Sequence, residues 1–226
     1  MRILRCPLVA LVLTFSPCTV SAEPTWYLSL GVGRARIQPI PDKSNQDAAL
    51  ASSGFTGIES SDSDNATASG IIGGYDFSDN LSIELSYLDL HGVYSYTAQF
   101  FSGSDRGAGS TRWNGSEVGV SLLTRWPLSN VVSVFGRFSL YRMQSELKSS
   151  TRITSATTGA LISETSSSVS GLSRATGIGL GTSLGLTPLH SIRLEYEFAT
   201  NLPKNIDGSN DFQHLRLLSI SLVNRF

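Results

Sequence analysis

The chain has 226 residues, of which 40% are hydrophobic and only 15% are charged, and its formal net charge is −1. Soluble domains carry charge on roughly 25% of their residues, so this chain is unusually poor in charge. Its length fits a single domain, and its charge balance lacks the basic excess of proteins that bind nucleic acid. These values exclude nucleic acid as a partner and leave the arrangement of the apolar residues as the best guide to the fold.

The first 22 residues have the pattern of a secretory signal peptide. Arg2 and Arg5 precede an apolar run, Leu8–Phe15, and small side chains lead up to Ala22. The run is too short to cross a hydrocarbon layer of about 30 Å. We therefore expect cleavage after Ala22, which divides the chain into a signal peptide of residues 1–22 and one domain of residues 23–226.

Both cysteines fall within the segment that this cleavage would remove. Without Cys6 and Cys18, the mature chain has no thiol, no disulfide and no cysteine-ligated metal site. Cleavage before Cys18 would instead give a lipoprotein, although Pro17 stands where such signals have a small residue. After cleavage at Ala22 the chain keeps 15 of its 17 basic residues and all 18 acidic ones, for a net charge of −3.

The last residues of the chain alternate between apolar and small polar side chains. Leu218, Ile220 and Leu222 are separated by serines, and the chain ends on the aromatic Phe226, although Asn224 departs from the pattern. A strand of a membrane barrel alternates in this way because one face meets hydrocarbon and the other meets a polar lumen. An aromatic at the end of such a strand is typical of bacterial outer-membrane barrels, so we expect Phe226 to act as an assembly signal.

Seven further segments alternate in the same way between turn signals. No apolar run after Ala22 is long enough for a membrane helix, and we predict no helix of any kind in residues 23–226. A soluble β-sandwich is the alternative, but it would not explain an apolar face on every strand. The sequence therefore predicts an all-β fold: an eight-stranded antiparallel up-and-down transmembrane β-barrel with four long extracellular loops and short periplasmic turns. The seven segments, each with its outward residues in steps of two, are 26–32, 71–77, 81–87, 118–126, 132–140, 178–186 and 192–198.

The connections between these segments alternate in length. Those around residues 78–80, 128–130 and 187–190 are only a few residues long, whereas four others are long. Outer-membrane barrels have short turns in the periplasm and long loops outside the cell. We therefore expect the four long connections at the cell exterior: residues 38–65, 90–114, 144–172 and 200–211.

Aromatic residues gather near the predicted strand ends, where their amphipathic rings suit the headgroup level of the bilayer. We expect one girdle at the periplasmic ends, formed by Trp26, Tyr27, Tyr75, Phe77, Trp126 and Phe226. We expect a second girdle at the outer ends, formed by Trp113, Tyr141, Phe198 and Phe212.

Four stretches of the predicted barrel resemble the transmembrane barrel of the outer-membrane protein A family and its opacity-protein relatives. This resemblance implies delivery by periplasmic chaperones and insertion by the outer-membrane assembly machinery among lipid and lipopolysaccharide. The chain has no soluble domain after its last predicted strand, so we do not expect peptidoglycan attachment. The four stretches are Gly73–Tyr75 with Ser82–Tyr87, Trp126–Leu128 with Phe135–Arg137, Arg193–Glu197, and Arg225 with Phe226.

Charged residues are predicted to face the lumen from several strands. Eight strands leave a lumen that side chains just fill, and an unpaired buried charge is strongly destabilising, so we expect ion pairs between them. The resemblance implies that Glu84, Arg193 and Glu195 match a salt-bridge gate, whose lysine falls at Leu123 here. An inert plug is the alternative to a gate. The lumen set is Glu84, Arg125, Arg137, Arg193, Glu195 and Glu197, with Arg125 or Arg137 as the replacement for the lysine.

The long connections are rich in Ser, Thr, Gly and Asp, and loops on a rigid scaffold usually carry binding. We predict a monomeric, non-enzymatic protein with a structural or surface-interaction role, such as adhesion or binding of a host factor, and no cofactor. A small gated ion channel and a lipid A-modifying enzyme are the alternatives. His91, His214 and Asp89 near the outer rim are the candidates for enzyme or metal chemistry, but no motif fixes their geometry and we expect no metal site.

Overall fold

The computed structural model describes residues 25–38, 43–63, 66–200 and 214–226. The predicted signal peptide, Phe212 and the predicted loop 200–211 beyond Thr200 lie outside these residues. Within them the elements are β1 (Thr25–Gln38), α1 (Lys43–Ser52), β2 (Thr56–Ser63), β3 (Ala66–Ser78), β4 (Leu81–Ser102), β5 (Asp105–Pro127), β6 (Val132–Thr154), β7 (Leu161–Gly185), β8 (His190–Thr200) and β9 (His214–Arg225).

Eight of the strands form a closed antiparallel ring. The order around the ring is β1, β3, β4, β5, β6, β7, β8 and β9, and pairing of β9 with β1 closes it. The first and last strands meet with Leu30 opposite Leu222. A closed ring satisfies every backbone group between strands, which is the requirement for sheet structure in hydrocarbon. The predicted eight-stranded, up-and-down barrel is confirmed.

Side chains alternate across the wall of the ring as predicted. On β1 the apolar Leu30 is 59% exposed on the outer face, whereas the neighbouring Ser29 is fully buried. Leu180 on β7 is 71% exposed, opposite an inner face made largely of glycine. The exposed apolar side chains form a belt around the barrel, which we call the lipid belt. It has the chemistry of a surface that contacts hydrocarbon.

Two predicted loops are strands in the structure. Residues 90–114 continue β4 into β5 with a turn only at Gly103 and Ser104, and residues 144–172 continue β6 into β7 with a turn at 155–160. Gly103 and Gly159 have φ of +64° and +68° at these turns, a conformation that favours glycine. The prediction of loops was wrong because lipid no longer imposes the outer apolar face there, so the alternation that marks the barrel strands fades.

The predicted first loop contains a helix and an additional strand. Helix α1 ends in a Schellman motif, in which Phe55 N donates to Leu50 O and Gly54 N to Ala51 O, with Gly54 at φ +88°. Strand β2 then pairs antiparallel with the upper part of β4. The prediction that residues 23–226 lack a helix was therefore wrong. None of the helices within the described residues has both the length and the apolarity to cross a bilayer.

Strands β2, β4, β5, β6 and β7 continue above the lipid belt as one sheet, which we call the outer sheet. Its inner face is apolar near the barrel, where Tyr94, Tyr96, Ala98 and Phe100 of β4 are buried. Leu50, Phe55 and Ile58 from the α1 and β2 region pack against this core. The barrel is thus capped on one side by an ordered extension.

Candidate functional site

The inward phase of β4, β6 and β8 brings charged side chains together in the lumen. Glu84 is 1% exposed and Arg193 is 2% exposed, and both come from strands whose alternate residues face lipid. Neither charge would be tolerated there without a partner. We call Glu84, Arg137, Arg193, Glu195 and Glu197 the lumen cluster.

Glu84 is the centre of the lumen cluster. Its Oε1 accepts hydrogen bonds from Arg193 Nη1 at 2.6 Å and from Tyr27 OH at 2.5 Å. Its Oε2 accepts a hydrogen bond from Arg137 Nη2. One carboxylate on β4 therefore joins two guanidinium groups, from β6 and from β8, across the lumen.

Arg137 extends the cluster to the two acids of β8. Its Nε lies 2.9 Å from Glu195 Oε1, and its Nη1 lies 3.9 Å from Glu197 Oε2. The Nε–Oε1 contact lacks hydrogen-bond alignment, because both atoms are without a hydrogen-bond partner among the described residues. It is an electrostatic contact, so Arg137 is held mainly by Glu84.

Arg125 lies apart from this cluster, at the end of the barrel with the short turns. Its Nη2 is 3.4 Å from Asp76 Oδ1, and Arg225 Nε is 3.4 Å from Asp76 Oδ2. Of the two arginines that the sequence left open as partners of Glu84, the structure brings Arg137 to it and places Arg125 on Asp76. Sequence reasoning missed Asp76, although its inward phase between Tyr75 and Phe77 was readable.

Two tyrosines belong to the lumen and not to an interface girdle. Tyr27 donates to Glu84, and Tyr141 OH donates to Glu197 Oε1. A Cβ at Gly74 would overlap the Tyr27 ring, and one at Gly119 would overlap the Tyr141 ring, so these glycines make room for the tyrosines. The girdle prediction was wrong for both because each follows an outward residue by one position and therefore points inward. Trp113 was also predicted at the interface and is buried in the core.

A fourth glutamate faces the lumen without an ion-pair partner among the described residues. Glu117 of β5 is 5% exposed and lines a cavity of about 40 Å³ that Arg137, Tyr141, Glu195 and Glu197 also line. Such a cavity is large enough for about one water molecule. Sequence reasoning missed Glu117, although its alternation with Val118 gives the inward phase.

Apolar side chains close the lumen above the lumen cluster. Leu90, Val93 and Met143 are fully buried there, next to Tyr94 and Trp113. A path for ions would therefore have to cross a layer of paired charges and then an apolar layer.

The rim histidines do not form a common site. His91 Nδ1 lies 3.4 Å from Asp89 Oδ2 in an exposed pair, whereas the His214 ring stacks on Phe198 at 5.1 Å between centroids. The described residues include no group of three His, Cys, Asp or Glu side chains placed to hold a metal ion.

Polar contacts fasten α1 to the outer sheet. Asp47 accepts hydrogen bonds from Ser60 Oγ and Tyr96 OH, each at 2.6 Å, and pairs with Lys43 at 2.9 Å. The hydrogen bonds from Ser60 and Tyr96 lower the pKa of Asp47 to about 2. Burial, with the bond to Asp47, raises the pKa of Tyr96 to about 12.

Phe226 lies on the outer face at the seam of the ring. Its backbone N donates to Trp26 O at 3.1 Å, and its ring is exposed near the lipid belt. The terminal aromatic is thus joined to the first strand of the ring.

A closed β-ring with a lipid belt and a polar, filled lumen defines the class of small outer-membrane barrels. The sequence model of the OmpA-like transmembrane domain matches residues 21–226. The chain belongs to the family of OmpA-like transmembrane domains, and it is a multi-pass β-barrel protein of the bacterial outer membrane. No curated protein sequence matches it.

Solved structures of barrel proteins are similar to this chain, and the first of them shows the same fold. Neisserial surface protein A is similar at a TM-score of 0.53 and 14% identity, with 91% of this chain and 100% of that chain covered. The attachment invasion locus protein Ail of Yersinia pestis is similar at 0.46 and 15%, covering 91% and 100%. The N-terminal barrel domain of Pseudomonas aeruginosa OprF is similar at 0.41 and 10%, covering 90% and 100%.

Proposed function

We propose that this protein is a non-enzymatic outer-membrane barrel that displays the outer sheet as a binding surface toward other surfaces, as in adhesion or binding of a host factor. The length of the strands carries the proposal. Strands β5 and β7 have 23 and 25 residues, whereas a strand needs about 9–11 to cross the membrane. Half of each strand is therefore available outside the bilayer as ordered structure.

The order of the outer sheet supports binding over a passive surface. Ser110 and Ser150 hydroxyls lie 2.9 Å apart across β5 and β6, and Ser168 donates to Glu146 across β6 and β7 at 3.0 Å. A rigid sheet loses little conformational entropy when a partner binds, which favours affinity. Its polar exposed face suits a protein or glycan partner.

The filled lumen makes a channel the weaker alternative. The lumen cluster and the apolar layer around Leu90 and Met143 would both have to rearrange for ions to pass. We propose that Glu84, Arg137, Arg193, Glu195 and Glu197 act as a structural plug, with Arg125 contributing at the turn end. Planar-bilayer conductance of the purified protein would reveal a gate in their place.

An enzymatic role has little support at the rim. The His91–Asp89 pair is exposed, and the ring of His214 is engaged with Phe198. We propose that no catalytic step occurs, and unchanged lipid A mass spectra after expression of the protein are the expected result. A new lipid A species would contradict this.

The membrane setting supplies the other proposed partners. The lipid belt is suited to lipid and lipopolysaccharide, and Phe226 is proposed to be read by the assembly machinery after delivery by periplasmic chaperones. A closed ring has no unpaired edge within the lipid belt, which supports a monomer in the bilayer. We retain residues 1–22 as the proposed signal peptide and residues 23–226 as the proposed barrel domain.

The test is a truncation of the β6–β7 hairpin. Residues 147–169 are replaced by an Asn-Gly turn joining Glu146 to Ser170, which are paired in the native register. We expect adhesion of a non-adherent Gram-negative strain to host cells and matrix proteins to fall to the level of the empty vector. A variant shortened instead at the β4–β5 tip, between Ala98 and Gly109, is the matched control.

We expect both variants to remain heat-modifiable, which shows that they are folded, because neither truncation removes residues of the barrel within the lipid belt. Adhesion that survives both truncations would contradict the proposed function.

A further inference from the structure

Within the part of the chain that the structure describes, one edge of the outer sheet is unpaired over a long stretch. Strand β7 pairs with β6 from Leu161 onward, but β8 reaches it only from Thr176. Within the described residues no strand therefore covers the other side of residues 161–175. Such an edge presents a row of free N–H and C=O groups that can pair with another strand.

From Ser163 to Ala175 this edge lacks the features that normally protect against pairing, because the register irregularity of β7 lies before this stretch, at Ile162, where the β6–β7 pairing steps from Thr154–Leu161 to Ile153–Ser163. Residues 161–175 contain no proline and no lysine, and Val169 and Leu172 are exposed on it. Natural edge strands are usually blunted by proline, lysine or a bulge. The other edge of the outer sheet, β2, carries Glu59 and Asp62 without a basic residue, so two copies of β2 would repel each other.

The charges on the β7 edge of one copy are complementary to those on the β7 edge of a second, antiparallel copy. The segment holds one acid, Glu164, and one base, Arg174, placed symmetrically about Val169. When two such edges run antiparallel with Val169 opposite Val169, each Glu164 lies opposite an Arg174. Opposite charges in directly facing positions stabilise a strand pair.

The electrostatic surroundings of Arg174 also favour the approach of a negative charge. Arg174 lies opposite Arg142 in the β6–β7 register, and like charges in that position are destabilising. Neither arginine forms an ion pair among the described residues. In the antiparallel pair, the Glu164 carboxylate of a second copy would lie close to Arg174 and Arg142 and would offset their repulsion.

We propose that the β7 edge pairs antiparallel with the β7 edge of a second copy of this chain in a facing outer membrane. Copies in one membrane share their orientation, so rotation about the membrane normal leaves their β7 strands parallel. Antiparallel pairing requires two membranes that face each other. The protein is then a homotypic cell–cell adhesin, an inference that rests on the proposed function of the outer sheet and names its partner.

The proposed pairing fits the free length of the edge. With Val169 at the centre, residues 163–175 of one copy meet residues 175–163 of the other, and the overlap stops where β8 begins. At roughly 3.4 Å per residue this overlap is about 44 Å long. Each contact is polar and modest, and the many copies in two facing membranes act together.

The test is a charge-swap experiment on whole cells. Glu164→Lys and Arg174→Glu are expressed singly in a non-adherent Gram-negative strain with short lipopolysaccharide, and cell clustering is measured by sedimentation and by two-colour microscopy. Each single variant alone should cluster at least about tenfold less than the unmodified protein, because like charges face each other twice. A mixture of the two single variants should cluster with each other and restore the rate, as should the double variant.

A cross-linking measurement tests the register. With copper phenanthroline added as the oxidant, Val169→Cys should form a disulfide between two differently tagged cell populations, whereas Ser167→Cys should not, because its facing residue is Gly171. Single variants that cluster like the unmodified protein, or a mixture that clusters no better than its components, would overturn the proposal.

Different results would exclude the proposed binding function of the outer sheet and the proposed pairing of two β7 edges. If the hairpin truncation abolishes binding to host cells while unmodified cells never cluster, the second copy is excluded and the proposed function stands. If neither binding to host cells nor clustering occurs in the unmodified strain, both proposals are excluded.

Discussion

At the scale of single residues, Glu84 determines the electrostatics of the lumen. It holds Arg137, Arg193 and the Tyr27 hydroxyl at once. Removal of a buried carboxylate leaves two guanidinium groups without their shared partner, whereas removal of one arginine leaves the carboxylate paired with the other. Glu84, Arg137 and Arg193 therefore contribute unequally to stability, and the loss of Glu84 should lower the free energy of unfolding most.

We expect Glu84→Ala to cost about 3–5 kcal/mol of unfolding free energy, as for other broken buried pairs, and Arg193→Ala to cost less because Arg137 remains. The double variant should cost less than the sum of the singles, with a coupling of about 0.5–3 kcal/mol. Urea unfolding in lipid vesicles measures both. Strict additivity would mean that the two side chains do not interact.

The same cycle tests the gate that family resemblance implies. If the lumen cluster is a plug and not a gate, the single-channel conductance of the single variants should stay at the level of the unmodified protein, because the apolar layer around Leu90 and Met143 is untouched. A rise in conductance in Glu84→Ala alone would support a gate.

The site was partly predictable at this scale. Alternation placed Glu84, Arg137 and Arg193 inward because the lipid face fixes the phase of each strand. The choice between Arg125 and Arg137 could not be made from sequence, since both have the inward phase and only their height along the barrel separates them. Tyr27 and Tyr141 were predictable by phase but were assigned by residue type.

At the scale of secondary-structure elements, α1 is held to the outer sheet by a titratable contact. The pKa of Asp47 is about 2 in the folded protein, below its ordinary value of 3.8. A lowered pKa means that the contribution is complete above pH 3.8 and is lost as the pH falls through 2. The raised pKa of Tyr96 means that its contribution is complete below pH 10 and is lost as the pH rises through 12.

A nitroxide spin label at Ala51→Cys should therefore be immobile between about pH 4 and 10 and become mobile toward pH 2 and toward pH 12. The matched variant Asp47→Asn removes the acidic transition, so the label should be equally mobile at pH 5 and pH 2. A label whose mobility in unmodified protein is constant from pH 5 to pH 2 would contradict the role of Asp47.

The last strand is the element that we expect the assembly machinery to read. Deletion of Phe226 removes the terminal aromatic and its backbone bond to Trp26. We expect folded, heat-modifiable protein in the outer membrane to fall by about tenfold or more, with Phe226→Trp as a control that retains assembly. Normal levels in the deletion strain would show that Phe226 is dispensable.

Elements above the lipid belt were the least predictable. The strands of the barrel were found because hydrocarbon enforces alternation over their full length. The upper half of β4 still alternates through Tyr94, Tyr96 and Phe100, a signal that could have extended the strand. The tips of β6 and β7 are mostly Ser and Thr and give no apolar period, and α1 has no strong apolar stripe.

At the scale of the whole molecule, orientation in the membrane remains a prediction. The long connections lie at one end of the ring and the short turns at the other, and the long ones are expected outside. Single cysteines at Ser61 on β2 and at Ser78 at the end of β3 test it, because mature protein cleaved after Ala22 has no other thiol.

We expect an impermeant maleimide to label Ser61→Cys and spare Ser78→Cys in intact cells. Both should be labelled after the outer membrane is permeabilised, which controls for access. Labelling of Ser78→Cys alone in intact cells would reverse the topology and would also remove the basis of the proposed adhesion.

The pairing of β1 with β9 determines how long the edges of the sheet stay exposed during biogenesis. These two strands close the ring with Leu30 opposite Leu222, so the contact joins residues near the two ends of the chain, and contacts of such high sequence separation form slowly. Until β9 arrives, the growing sheet has two bare edges in the envelope. During that interval both edges are open to pairing with strands of other chains, and a defect in β9 lengthens it without changing any other strand.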